Sequence, residues 1–231
     1  MNHVDKIIST KWLLNEKNNS LLEDYSVIID GNIIKDIIPS SQVRKSYTTD
    51  DKILLQNHIV LPGLINSYGD SSVLWVQNDN SFRGKINKLS YANFKNNYLE
   101  KNHRDVSSKI SILEMIKGGI TTLCDSGIFP ESMIDQAKQS NVRCLIGLCI
   151  QTEKTTWAEN ENEYLDKSLR IFDNYNSDPD INFFFNPASI ENISEKTLQK
   201  ISKISNELDV PVKMSVCNTE SEIKYSLKNQ C

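Results

Sequence analysis

The strongest constraint on the fold is the alternation of amphipathic helices and short apolar strands after about residue 106. Residues 106–117 carry apolar side chains at helical spacing and end at Gly118-Gly119, a frequent helix stop. Residues 120–125 then form a β-branched run that ends in Asp125. Strands that are separated by helices cannot pair as hairpins, and apolar strands of this kind are typical of a parallel sheet covered by helices.

The same alternation continues towards residue 216, which predicts an α/β fold. The predicted helices are residues 106–117, 131–140, 161–176 and 194–208, the last capped by Ser194, and the predicted strands are residues 120–125, 142–150, 181–185 and 210–216.

The first 60 residues have a different character, with short β-branched runs separated by polar turns. Asp30-Gly31 stands between two such runs, and this dipeptide is a strong hairpin signal. We therefore predict a small antiparallel β-sandwich segment over residues 1–60 and a separate domain over residues 61–231.

Between these parts, an apolar run from residue 59 reaches Pro62-Gly63 and continues as Leu64-Ile65-Asn66-Ser67. The pattern predicts a buried strand followed by a polar loop that contains Tyr68 and Asp70.

Residues 61–67 resemble the segment that opens the barrel in the amidohydrolase superfamily, in its chlorohydrolase and nucleoside-deaminase-like branch. Further similar stretches, in the same order, are residues 118–125, 141–143 and 194–222, so the resemblance covers roughly residues 4–226. It implies a TIM-type β/α barrel preceded by a small β-sandwich. Five strand–helix units fit into this chain whereas a closed barrel has eight, so we expect a partial, five-unit barrel.

The resemblance also implies one or two divalent metal ions, zinc or iron, held by histidines and an aspartate at the strand ends. At the matching positions this chain has other residues: Tyr68, Asp70, Ala188, Ser215 and, in place of a catalytic glutamate, Asn218. Asp70 could still bind a metal, although a loop or capping carboxylate is the simpler interpretation. We therefore predict that the chain binds no cofactor.

Other candidate residues do not restore the site. His3, His58 and His103 are interpreted as ordinary surface or core histidines. Asp125 is predicted to be structural because a carboxylate just past a strand can accept backbone hydrogen bonds. Cys217 is predicted to be a buried thiol, and no nucleophile-elbow or phosphate-loop motif is present.

Composition limits the partners. The net charge of -4 gives no electrostatic reason to expect nucleic acid. No apolar run approaches the ~20 residues that span a bilayer. Five cysteines without a CxxC pair favour reduced thiols and a cytoplasmic location.

Three functional hypotheses remain open. The leading one is an amidohydrolase-family homologue, related to enzymes that hydrolyse non-peptide C–N bonds, that has lost the reaction with its metal ligands. The second is an active hydrolase whose remodelled site is completed by a missing C-terminal half or a partner chain. The third is a non-catalytic binding or regulatory subunit. Unpaired edges of the partial barrel favour a homo-oligomer or a completing partner, while the substrate and a lid over residues 71–104 stay undecided.

Overall fold

A computed structural model of the chain describes residues 1–15, 19–71, 101–217 and 219–229. Chain contacts divide it into two units, residues 1–63 and 64–231. None of the described helices is long and apolar enough to cross a membrane.

The first unit is a small β structure. Its elements are β1 (Asn2–His3), β2 (Lys6–Asn15), β3 (Ser20–Asp30), β4 (Ile33–Pro39), α1 (Val43–Ser46), β5 (Tyr47–Thr48) and β6 (Lys52–Val60). The predicted hairpin at Asp30-Gly31 is confirmed: it joins β3 to β4, and Gly31 adopts a φ of 60° there. The core of the unit is a small apolar cluster that includes Val4, Ile7 and Ile28.

The prediction of a purely antiparallel sheet is wrong. The four-stranded sheet has the order β4-β3-β2-β6, and its β2–β6 pair is parallel. The physical reason is the connection: β6 is reached through α1 and β5 and not through a hairpin, and only a crossover of this kind allows parallel pairing.

The second unit is an α/β structure with a four-stranded parallel sheet of order β10-β9-β8-β7. Its elements are β7 (Leu64–Gly69), α2 (Lys101–Lys117), β8 (Ile120–Asp125), α3 (Pro130–Ser140), β9 (Arg143–Ile150), α4 (Glu161–Tyr175), β10 (Ile181–Pro187), α5 (Glu195–Leu208) and α6 (Glu220–Asn229). The predicted α/β alternation is confirmed and matches an incomplete β/α barrel. The prediction of a buried strand after Pro62-Gly63 is wrong, because Ile65 of β7 is exposed as an outer-strand residue, and Tyr68 belongs to this strand and not to the loop after it.

The main apolar core lies between this sheet and the helices that cover it. Leu148 of β9 and Phe185 of β10 are completely buried, as is Met133 of α3. Gly147 lets the ring of Phe184 pack directly against the backbone of β9, since a Cβ at this position would lie 2.8 Å from that ring. The continuous apolar runs of β9 and β10 therefore have the burial expected of parallel strands.

The predicted fifth strand over residues 210–216 is not formed. Only Val212 makes a bridge, to Phe185, although backbone bonds also join Phe185 N–H to the Pro211 carbonyl and Lys213 N–H to the Phe185 carbonyl. Pro211 has no N–H to donate, and a single proline at a sheet edge limits pairing in this way.

One helix boundary differs from expectation, and one helix was not predicted. Helix α2 begins at Lys101, before the predicted residue 106, because its charged first turn carries no apolar periodicity. Helix α6 was missed, although Thr219 accepts a hydrogen bond from the backbone of Glu222, a pairing typical of a helix start. Of the segment considered as a lid, residues 72–100 lie outside the described residues.

Candidate functional site

A cleft lies at the carboxyl ends of the parallel strands, the position where β/α barrels carry their chemistry. It encloses about 350 Å³. Its lining comes from the ends of β7, β9 and β10, from the segments that follow strands β7 to β10, and from the bridge segment, which we define as residues 211–215 around the Val212 bridge. The lining residues are Tyr68, Asp70, Ser126, Ile128, Cys149, Gln151, Glu153, Asn186, Ala188, Asn192, Lys213, Met214 and Ser215.

The structure brings four of the five sequence-predicted positions into this cleft. Tyr68, Asp70, Ala188 and Ser215 all line it, whereas Asn218 lies outside the described residues. A phenol, a methyl group and a hydroxyl are poor zinc ligands compared with the imidazoles that such sites use. Within residues 1–15, 19–71, 101–217 and 219–229, no group of three or more His, Cys, Asp or Glu side chains is arranged to hold a metal ion.

Asp125 is a buried carboxyl group beside the cleft whose pKa is raised. It is 2% exposed and accepts hydrogen bonds from Ser71 N–H at 2.8 Å, Ser71 Oγ at 3.2 Å and Gly127 N–H at 3.2 Å. The backbone bonds expected of a structural carboxylate are present. Burial raises the pKa of Asp125, the negative charge of Asp70 raises it further, and the three hydrogen bonds lower it, so that it lies at about 6.

The carboxylates of Asp70 and Asp125 both lie close to Gly127. A Cβ at Gly127 would lie 2.9 Å from Asp125 Oδ2 and 3.6 Å from Asp70 Oδ1, so a side chain at this position would collide with the carboxylate of Asp125. Two adjacent carboxyls with one raised pKa are chemically suited to share or transfer a proton.

Lys213 is a cleft residue that the sequence reasoning missed. Its Nζ donates to the Ser67 carbonyl at 3.0 Å, lies 3.5 Å from Cys124 Sγ, and stands 4.9 Å and 5.3 Å from the ring centroids of Tyr68 and Phe184. The available signal was its place in Pro211-Val212-Lys213, where the family pattern has a histidine. A lysine there supplies positive charge to the cleft but no neutral nitrogen ligand.

Amide side chains were also missed because nothing in their local sequence marks them. Asn186 donates to the Ser126 carbonyl at 3.3 Å, and Gln151 donates to the hydroxyl of Tyr164 at 3.0 Å. Both line the cleft and present polar atoms that could orient a bound ligand.

The remaining candidates lie elsewhere or differ from expectation. The prediction of a buried Cys217 is wrong: the residue is exposed and has a φ of 56°, since it follows the point where the bridge segment leaves the sheet. Cys124 is buried, and burial raises the pKa of its thiol, an effect that Lys213 partly offsets. His3 and His58 belong to the first unit and are exposed, and the side chain of His103 is not among those described.

Comparisons with known proteins agree with this architecture. A family model described as the amidohydrolase family matches residues 59–229. Proteins named 5-methylthioadenosine/S-adenosylhomocysteine deaminase from Saccharophagus degradans and Teredinibacter turnerae are each 26% identical over 97% of this chain. The chain spans about half the length of these curated relatives, 51% and 52% respectively.

Solved structures share the fold of this chain. An adenosine deaminase from Xanthomonas campestris with bound zinc superposes with a TM-score of 0.89 at 20% identity, over 98% of this chain and 52% of the other. An atrazine chlorohydrolase from Arthrobacter aurescens complexed with zinc gives 0.77 at 16% identity, over 91% and 52%.

Proposed function

Because the chain belongs to the amidohydrolase family, we propose that it is a family member that binds an adenosine-type nucleoside at its strand-end cleft without metal-dependent hydrolysis. The observation that carries this proposal is that the cleft is lined by Tyr68, Ala188 and Ser215, the residues that the sequence resemblance assigns to positions of metal or catalytic groups. The ligand class is suggested by the names of the relatives, which are deaminases of methylthioadenosine and adenosine.

The cleft offers suitable contacts for such a ligand. The ring of Tyr68 can stack on a planar base, and the amides of Gln151 and Asn186 can hydrogen-bond to its edge. Lys213 lies beside the same ring and can bind an electron-rich group. None of these residues activates water in the way that a zinc ion does.

The first test combines two measurements on the purified chain. We expect elemental mass spectrometry after addition of zinc to find far less than one metal ion per chain. Calorimetry with 5′-methylthioadenosine should detect binding, and Tyr68→Ala should weaken that binding about tenfold through loss of stacking.

The matched control replaces Tyr25, an aromatic residue of the first unit, by alanine and should leave nucleoside binding unchanged. Close to one tightly held metal ion per chain, with deaminase turnover that disappears in Asp70→Ala but persists in Asp166→Ala, would refute the loss of hydrolysis. Absence of nucleoside binding would refute the ligand.

A second candidate function, hydrolysis by a remodelled site, is favoured by the Asp70–Asp125 pair. Asp125 has a pKa of about 6, which is suited to proton transfer near neutral pH. This candidate requires additional groups from the part of the relatives that this chain does not match. It predicts turnover only when that part is co-expressed, with an acidic limb near pH 6 that Asp125→Asn removes.

We also propose that such a segment, whether a continuation or a separate chain, covers the edge strand β7 and helix α2. Leu64, Ile65 and Tyr68 of β7 are more than half exposed, and an apolar row of Val106, Ile110, Leu113 and Ile116 is exposed along α2. The relatives contain about as much chain again as the part matched here, which is enough for the remaining β/α units.

A further inference from the structure

A second cavity lies on the helical layer and shares no lining residue with the strand-end cleft. It encloses about 520 Å³ between the starts of α2 and α3 and one side of α4. The residues that matter are two arginines, Arg104 and Arg170, and three aromatic side chains, Phe129, Trp157 and Tyr175. We call this cavity the arginine groove.

Arg104 is held in place but is incompletely satisfied. Its guanidinium carbon lies 4.1 Å from the ring centroid of Phe129, a stacked arrangement that orients the planar group. Its Nε is buried and has no hydrogen-bond partner. Because buried N–H groups nearly always have an acceptor, this donor indicates a position for an acceptor atom.

The carboxylate in the lining of the groove already accepts hydrogen bonds from within the protein. Glu131 is the one carboxylate in the lining, and both of its oxygens accept from Trp157 Nε1, at 3.0 Å and 3.1 Å. Lys167, the third cation, pairs with Glu163 at 2.7 Å. Within the described part of the chain, neither Arg104 nor Arg170 makes an ion pair, so two guanidinium groups share one cavity with a single carboxylate, and the lining keeps an excess of positive charge.

The charge of the groove lining is opposite in sign to the net charge of the chain. The protein carries a net charge of -4, yet the lining of the groove holds three cations and one anion. Positive charge concentrated beside low-dielectric aromatic walls attracts anions more strongly than the same charge spread over a surface.

We propose that the arginine groove binds a small aromatic anion. Arg104 and Arg170 take its phosphate or carboxylate oxygens, since guanidinium groups bind both in a planar, bidentate manner. Phe129, Trp157 and Tyr175 contact its ring. The site is separate from the nucleoside cleft and does not depend on the function proposed for that cleft.

The test is calorimetric titration of the full chain with phenyl phosphate, benzoate and phenol, three probes that share a ring and differ in charge. We expect phenyl phosphate or benzoate to bind, with the tighter of the two identifying the oxyanion, and phenol to bind at least about tenfold more weakly. Arg104→Gln and Arg170→Gln should each weaken the binding of the anion about tenfold, and added salt should weaken it further.

Lys203→Gln removes the same charge from an exposed position on α5 and should leave the affinity unchanged. Arg104→Lys keeps the positive charge but not the planar set of donors, so we expect its affinity for the anion to lie between those of the wild type and Arg104→Gln. Such an intermediate affinity distinguishes ion binding from a general folding defect. Equal binding of phenol, unchanged affinity in both glutamine variants, or no binding of either anion would each overturn the proposal.

Discussion

At the scale of single residues, Asp125 shows how position alters ordinary chemistry. Its carboxyl lies at the end of β8, inside the core, where solvent cannot stabilise its charge. The hydrogen bonds from Ser71 and Gly127 offset part of that cost, but the charge of Asp70 adds to it. The balance leaves a group that changes its charge near pH 6.

We therefore predict that Asp125 makes folding stability depend on pH in the opposite direction to a typical paired carboxylate. Its pKa rises from 3.8 to about 6 on folding, so its contribution is complete below pH 3.8 and is lost as pH rises through 6. Between about pH 4 and pH 7, the free energy of unfolding of the wild type should fall relative to Asp125→Asn by on the order of 3 kcal/mol. Urea unfolding across this range measures the difference.

Asp178 provides an internal control for this prediction. A hydrogen bond from Lys138 lowers the pKa of Asp178, so its carboxyl carbon should titrate below the usual aspartate range in NMR spectra. Titration of Asp125 together with ordinary aspartates would contradict the prediction.

At the scale of elements, one carboxylate joins the starts of two helices. Glu161 lies in the first turn of α4 and accepts from Ser194 Oγ and Thr197 Oγ1, both at 2.6 Å, and from the Ser194 N–H. Ser194 is also the N-cap of α5, as the sequence predicted, and its Oγ accepts from Thr197 N–H. Although partial burial would raise the pKa of Glu161, these hydrogen bonds lower it.

We predict that Glu161→Ala lowers the free energy of unfolding by about 2 kcal/mol, because it leaves three donors at the α5 start without their charged acceptor. Glu207→Ala removes an exposed carboxylate near the other end of α5 and should change stability by less than about 0.5 kcal/mol. Chemical denaturation of the two variants compares them directly, and equal effects would show that the network contributes nothing particular.

At the scale of the whole molecule, β7 is an outer strand of the second unit's sheet, and no other described strand pairs with its outer edge. The side chain of Ile65 is 71% exposed on this strand, and Leu113 is 51% exposed on α2. An unpaired strand edge with apolar side chains is a template for association with another chain.

We predict that the purified chain associates in a concentration-dependent manner through this surface. Ile65→Lys together with Leu113→Glu should shift sedimentation velocity profiles towards the monomer, because charged residues at an edge oppose pairing. Leu208→Glu, at a less exposed apolar position on α5, serves as the control. A wild-type chain that stays monomeric at high concentration would contradict this expectation.

The elements of this protein could be predicted from sequence because their signals are local. Apolar spacing, the Gly118-Gly119 stop, the Ser194 cap and Asp30-Gly31 each depend on residues only a few positions apart. The same signals failed where pairing depends on a distant neighbour. The parallel β2–β6 pair and the absence of a regular strand at residues 210–216 are both set by connections and edges that local patterns do not contain.

The sequence by itself therefore predicted most of the helices and strands in their order, together with the residues Tyr68, Asp70, Ala188 and Ser215 that line the strand-end cleft. Only the tertiary structure decided that Lys213 reaches Ser67, 146 positions earlier in the chain, and that Asp70 raises the pKa of Asp125. It also decided that Arg104 and Arg170 face one groove. The physical reason is that charge, burial and hydrogen-bond partners depend on distance in space, which the folding of the parallel sheet sets and the spacing along the chain does not.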